Sequence, residues 1–112
     1  MTGNEYQKLA SRTLRFDTSK YQWEQHALHG MVGEIGELHS IYQKAYQGHK
    51  EENVSEHKMK ELGDLLWFIA EYCSSQDWLL DDVLEMNIEK LKKRYPDGFN
   101  SQQSIYRSED DI

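Results

Sequence analysis

Apolar residues recur along this chain at intervals of three and four, and no segment alternates as a strand would, so the 3.6-residue period predicts helices throughout. The first predicted helix runs from Asn4 to Phe16, with Asn4 as its cap and Tyr6, Leu9, Ala10, Thr13 and Leu14 on one side. The second runs from Gln22 to Tyr46, where Leu28, Met31, Val32, Ile35, Leu38, Tyr42 and Ala45 share a face and Gly48 supplies the stop. The third opens at Asn53 or Ser55, either able to accept a bond from first-turn N–H groups, and carries Leu62, Leu65, Leu66, Ile69 and Cys73 inward. The fourth covers Leu79 to Tyr95, with Leu80, Val83, Leu84, Ile88 and Leu91 on its apolar side, before Pro96 and Gly98 end it. The expected fold is all-α and like a four-helix bundle. One domain spans residues 1–99, and a polar tail, 100–112, is mobile unless it folds over the site.

Composition narrows this picture. With 112 residues and 38% hydrophobic content the chain can build one modest core, and helices this long are expected to complete it by pairing with a second copy. A net charge of −7 opposes a nucleic-acid partner, whose footprint is basic. The single cysteine, Cys73, lies in an apolar run and reads as a buried small hydrophobe in a reducing compartment. The opening MTGNEYQKLA lacks an apolar signal region, and no stretch approaches the roughly 20 apolar residues that cross a bilayer. A cytoplasmic protein without membrane contact is expected.

The acidic residues are not spread evenly. Glu34 and Glu37 are three apart on the second helix, at the border of its apolar stripe, and Glu61 and Asp64 repeat the arrangement on the third. Either pair alone matches ordinary solvated helix charge. Two pairs at facing borders would bring four carboxylates together, which repel and lose hydration unless they are protonated or hold a cation. Oxygen-only donors favour Mg²⁺, with Mn²⁺ as a substitute, over Zn²⁺. A di-iron bundle needs Glu-x-x-His, and none of the five histidines has a glutamate three residues earlier. His26 and His29 share a face without a third ligand and read as surface or packing residues.

Gly30, Gly33 and Gly36 interrupt the helix beside these acids, each at a cost of about 1 kcal/mol in propensity. Gly30 and Gly33 fall on the side of Glu34 and Glu37, where missing side chains would leave a cleft for metal, water and phosphate. Gly36 sits apart and is expected to allow close helix packing. On the fourth helix Asn87 falls among the apolar positions, with Lys90 and Arg94 following at i+3 and i+7. Lys90 and Arg94 suit the C-terminal end of a helix dipole, but an inward amide does not follow from that. Cations beside a metal-binding acid cluster suit a polyphosphate. Trp23, Trp67 and Trp78 read as core or interface residues, with Trp67 near enough to the acids to stack on a base.

These segments together resemble the MazG-like nucleoside triphosphate pyrophosphohydrolases, an all-α superfamily. NEYQKLASRT is similar to the opening helix, GEIGELHSIYQKAYQGH to the ExxE helix and turn, and ELGDLLWFIAEYC to the ExxD helix. NIEKLKKRYPDGF is similar to the closing helix and QQSIYRSED to the polar segment after it. The resemblance implies a compact single-domain member that forms dimers or tetramers. It implies Mg²⁺-dependent hydrolysis of a (deoxy)nucleoside triphosphate to the monophosphate and pyrophosphate, and a house-cleaning role in the nucleotide pool. It also implies that Glu34, Glu37, Glu61 and Asp64 are the metal ligands, and these are the candidate catalytic acids. Spacing does not say which acts as base; Glu37, if not fully used as a ligand, would orient the attacking water. Asn87, Lys90, Arg94 and Tyr95 would contact nucleotide or phosphate, with Lys44 and then Arg107 as further candidates. The alternative is a non-catalytic helical dimer that binds nucleotide or protein through the same fold.

Overall fold

The computed structural model describes residues 1–112. It is built of helices α1 (Gly3–Ala10), α2 (Lys20–Tyr46), α3 (Val54–Ser75), α4 (Leu80–Arg94) and α5 (Ser101–Ile105), with one 3₁₀ turn, Ser11–Thr13, after α1. The all-α expectation holds, and no helix is long and apolar enough to cross a membrane.

Local chemistry fixes the ends of these helices. Thr2 and Ser19 each form a capping box, with Glu5 and with Gln22, at the starts of α1 and α2. Asn4, expected as the first cap, is spent elsewhere: its Oδ1 accepts the Asp81 N–H at 2.9 Å and ties α1 to the start of α4. Asn53 occupies the cap position of α3, but its left-handed backbone (φ 55°) turns the side chain away from the helix N–H groups. The tail contains the short helix α5. Asn100 caps α5 by accepting from the Gln102 and Gln103 N–H groups.

The long helices α2 and α3 pack along each other as a hairpin, and α1 lies across α3 and α4. Gln7 is the joint. Its Nε2 donates to Ser74 Oγ at 3.2 Å and to the Trp78 carbonyl at 2.9 Å, while its Oε1 accepts the Leu80 N–H at 2.8 Å. Gly3 lets α1 approach α4 closely, since a Cβ there would strike Asp81 and Leu84. Beyond this first turn α4 leaves the hairpin, and Leu84, Ile88 and Leu91 remain exposed. The bundle is therefore not closed within one chain. The radius of gyration is 17.5 Å, against about 13 Å for a compact domain near this length, and only nine residues are buried.

Candidate metal centre

The hairpin carries the acids on its two facing helices, Glu34 and Glu37 on α2 and Glu61 and Asp64 on α3. Three of them meet. One carboxylate oxygen from each of Glu34, Glu61 and Asp64 lies within 4.8 Å of the others. Glu34 and Glu61 are half-buried and Asp64 is exposed, so the cluster has one wet side. Glu34 Oε2 is enclosed and has no hydrogen-bond partner, an arrangement that costs roughly 1–3 kcal/mol or more unless something occupies the gap. Burial, the contact with Glu61 and the charges of Asp64, Glu61 and Glu37 push the Glu34 carboxyl up to about 7. Hard oxygen donors, one of them orphaned, fit a divalent cation such as Mg²⁺ or Mn²⁺.

Glu37 is not part of this trio. It is exposed and lines an adjoining recess of about 430 Å³ with Ser40, Lys44, His49, Lys50 and His57. His57 joins the two places: its Nδ1 bonds the Glu51 carboxylate and its Nε2 stands 3.3 Å from Glu61 Oε1. Sequence reasoning passed over His57, although its i,i+4 spacing to Glu61 was visible. Tyr6 was also missed as a neighbour of the site. Burial, and secondly the Asp64 charge, raise its phenol.

The glycines divide differently from expectation. At Gly33 a Cβ would meet nothing within 4 Å, so the space beside the acids is open there. Gly30 serves packing instead, because a Cβ would collide with the Phe68 ring. Gly36, expected in a helix contact, also faces open space.

The basic stripe is placed apart from the acids. Asn87 is exposed and not inward, because α4 rests on α1 by its first turns and leaves its later apolar face uncovered. Arg94 donates from Nε and Nη2 to the two carboxylate oxygens of Asp111 at 2.9 and 2.8 Å. Tyr95 packs at a tilt on Phe99, with ring centroids 5.4 Å apart. Lys90 lines a recess of about 350 Å³ with Lys93, Ser108, Asp110 and Asp111.

A further recess, of about 330 Å³, lies along the hairpin between Trp23 and Trp67 and is bordered by Gln22, His26 and Glu71. The indoles are held from behind, Trp23 by the Arg15 carbonyl at 2.7 Å and Trp67 by Thr13 Oγ1 at 2.8 Å. Glu71 is 3% exposed, and both of its oxygens stand 2.9 Å from His26 Nδ1. Burial raises its carboxyl, and the His26 contact opposes that rise.

Comparison with known proteins bears on this arrangement. The MazG nucleotide pyrophosphohydrolase domain matches residues 22–99, which include all of α3 and α4 and all of α2 but its first two residues. Gene 37 protein of Mycobacterium phage L5 is 31% identical over 72 residues, 62% of this chain. The match spans 63% of that relative's length. No solved structure gives a significant match.

Proposed function

The chain belongs to the MazG nucleotide pyrophosphohydrolase family, and from that premise we propose that it hydrolyses a (deoxy)nucleoside triphosphate to the monophosphate and pyrophosphate with Mg²⁺. House-cleaning of the nucleotide pool is the role this activity suits. The observation that carries the reading is the enclosed, partnerless Oε2 of Glu34 among two further carboxylates.

Glu34, Glu61 and Asp64 would hold the ion. A bound Mg²⁺ would neutralise phosphate charge and lower the pKa of water beside it. Glu37, next to the trio and open to solvent, accepts the proton of the attacking water. Lys44, which lines the same recess as Glu37, balances phosphate charge. His57 holds Glu61 in place through its Nε2. The open face at Gly33 admits the polyphosphate. Trp67 follows Asp64 by three residues, about one helical turn, so the Trp23–Trp67 recess is within reach of the nucleoside end.

Lys90 and Arg94 act on phosphate only when a basic arm reaches an acid cluster, and in one chain α4 points away from the hairpin. A second copy resolves this. Val32, Ile35 and Tyr42 on α2 and Leu62 and Leu66 on α3 are exposed at helical spacing, the pattern of a half-finished four-helix bundle. We propose that two hairpins pair through these faces, as a dimer or as the unit of a tetramer.

The test is pyrophosphate release from a panel of dNTPs with Mg²⁺, comparing wild type with Glu61→Gln. Equal turnover would remove the acid cluster from the mechanism. Nucleotide binding by calorimetry with no product would select a non-catalytic binding protein of the same fold.

A further inference from the structure

The segment after α5 places Asp111 on Arg94, a residue proposed to bind phosphate, and Asp110 in the recess that Lys90 lines. Asp111 grips the Arg94 guanidinium through both carboxylate oxygens, and the pair is about nine-tenths covered, at 10% and 13% exposure. Asp110 lies in the same recess as Lys90 and Lys93. The segment is held in place by structure of its own: α5 is capped by Asn100, and the Asp111 N–H donates to the Ser108 carbonyl at 3.1 Å. The acidic residues have lowered carboxyls: Asp111 through Arg94 first, and also Arg107 and Lys90, and Asp110 through Ser108 first, and also Lys93. A guanidinium fork matches a carboxylate and a phosphate with the same two parallel N–H bonds. It cannot serve both at once.

We propose that residues 108–111 are a built-in competitor, a strap whose Asp111 occupies the Arg94 guanidinium, with Asp110 in the recess beside Lys90 and Lys93, until a polyphosphate displaces it. The inference rests on the proposed phosphate role of Lys90 and Arg94, and it deepens that reading by adding regulation to the site. A tethered carboxylate acts at a high effective concentration. Apparent affinity for polyphosphate then falls in proportion to the fraction of molecules with the strap open. The strap therefore raises the polyphosphate concentration at which the cations are half-occupied.

The probe is inorganic tripolyphosphate without metal, followed on the full chain by amide NMR. In the wild type, signals of residues 108–111 should move to positions typical of an unfolded segment as the cations are occupied. By calorimetry, the double variant Asp110→Asn/Asp111→Asn should bind tripolyphosphate about tenfold more tightly, the loss of a charge-assisted pair, while Asp111→Glu stays near wild type. Tripolyphosphate that binds Lys90 and Arg94 with the strap signals unmoved, or binds wild type and double variant alike, overturns the inference. The NMR titration needs no variant, so a folding defect in the double variant does not obscure the result. Displacement of the strap in a protein that hydrolyses no nucleotide would sink the proposed activity and leave the strap standing.

Discussion

Replacing Glu34 by glutamine should make the metal-free protein more stable while removing its response to Mg²⁺. The carboxyl rises from an ordinary 4.5 to about 7 in the folded chain. The folded state therefore holds this proton more tightly than the unfolded chain does. The associated stability is fully present below about pH 4.5 and is lost as pH rises through about 7. At 1.36 kcal/mol per pH unit this would reach about 3 kcal/mol above pH 7. Water at the exposed Asp64 side screens the repulsion, which reduces the expectation to about 1–2 kcal/mol. Glutamine keeps the shape of the protonated acid. Thermal melting in EDTA at pH 8 should thus give Glu34→Gln a Tm about 4–8 °C above wild type, and at pH 4 the two should coincide. Mg²⁺ at tenfold over its Kd should add about 1.4 kcal/mol to the wild type at pH 8 and much less to the variant. Equal melting of the two proteins at pH 8, or an equal Mg²⁺ gain, would refute the assignment of Glu34 as a metal ligand under electrostatic strain.

Other expectations follow from the same geometry. Gly33→Leu fills open space on a helix and should raise Tm by a few degrees, about 0.8–1 kcal/mol of propensity, while nucleotide turnover collapses; retained turnover would show that the space is not the cleft. Gly30→Ala should do the reverse, losing about 1–3 kcal/mol to the clash with Phe68, measured by urea unfolding. Gln7→Leu strands the buried Leu80 N–H and the Trp78 carbonyl and should cost about 2–3 kcal/mol, with hydrogen exchange accelerated at Leu80. Val32→Lys/Ile35→Lys should reduce the assembly to single chains in light scattering, and a wild type already of single-chain mass would remove the pairing proposal.

Much of this protein was legible in its amino acids, for reasons that can be stated. Helical periodicity placed α2 and α3 to within a few residues, because apolar residues recur at intervals of three and four along both. The spacing of Glu34, Glu61 and Asp64 put three acids on facing edges, and the structure brings them together. Spacing could not say that Glu37, one turn further, opens into a neighbouring recess, because that depends on the rotation of each helix about its axis. The roles of Gly30 and Gly36 were interchanged for the same reason: which face meets Phe68 is a tertiary fact. Asn87 was read as inward from its apolar neighbours, but those neighbours are themselves uncovered in one chain. Asp111 was invisible as a partner of Arg94 because seventeen residues separate them and α5 turns the chain back.

The joint at Gln7 also has a consequence for the order in which the fold can form. All three of its side-chain bonds reach 67 to 73 residues along the chain. During synthesis at roughly 5–20 residues per second, α1 emerges about 4–15 seconds before the turn it must grip. Until then its buried amide has only water for a partner. The long hairpin can zip locally in that interval, but α1 and α4 can lock only together, as a late and long-range step. Folding should therefore show an early helical phase, independent of Gln7, and a slower phase that a change at Gln7 abolishes.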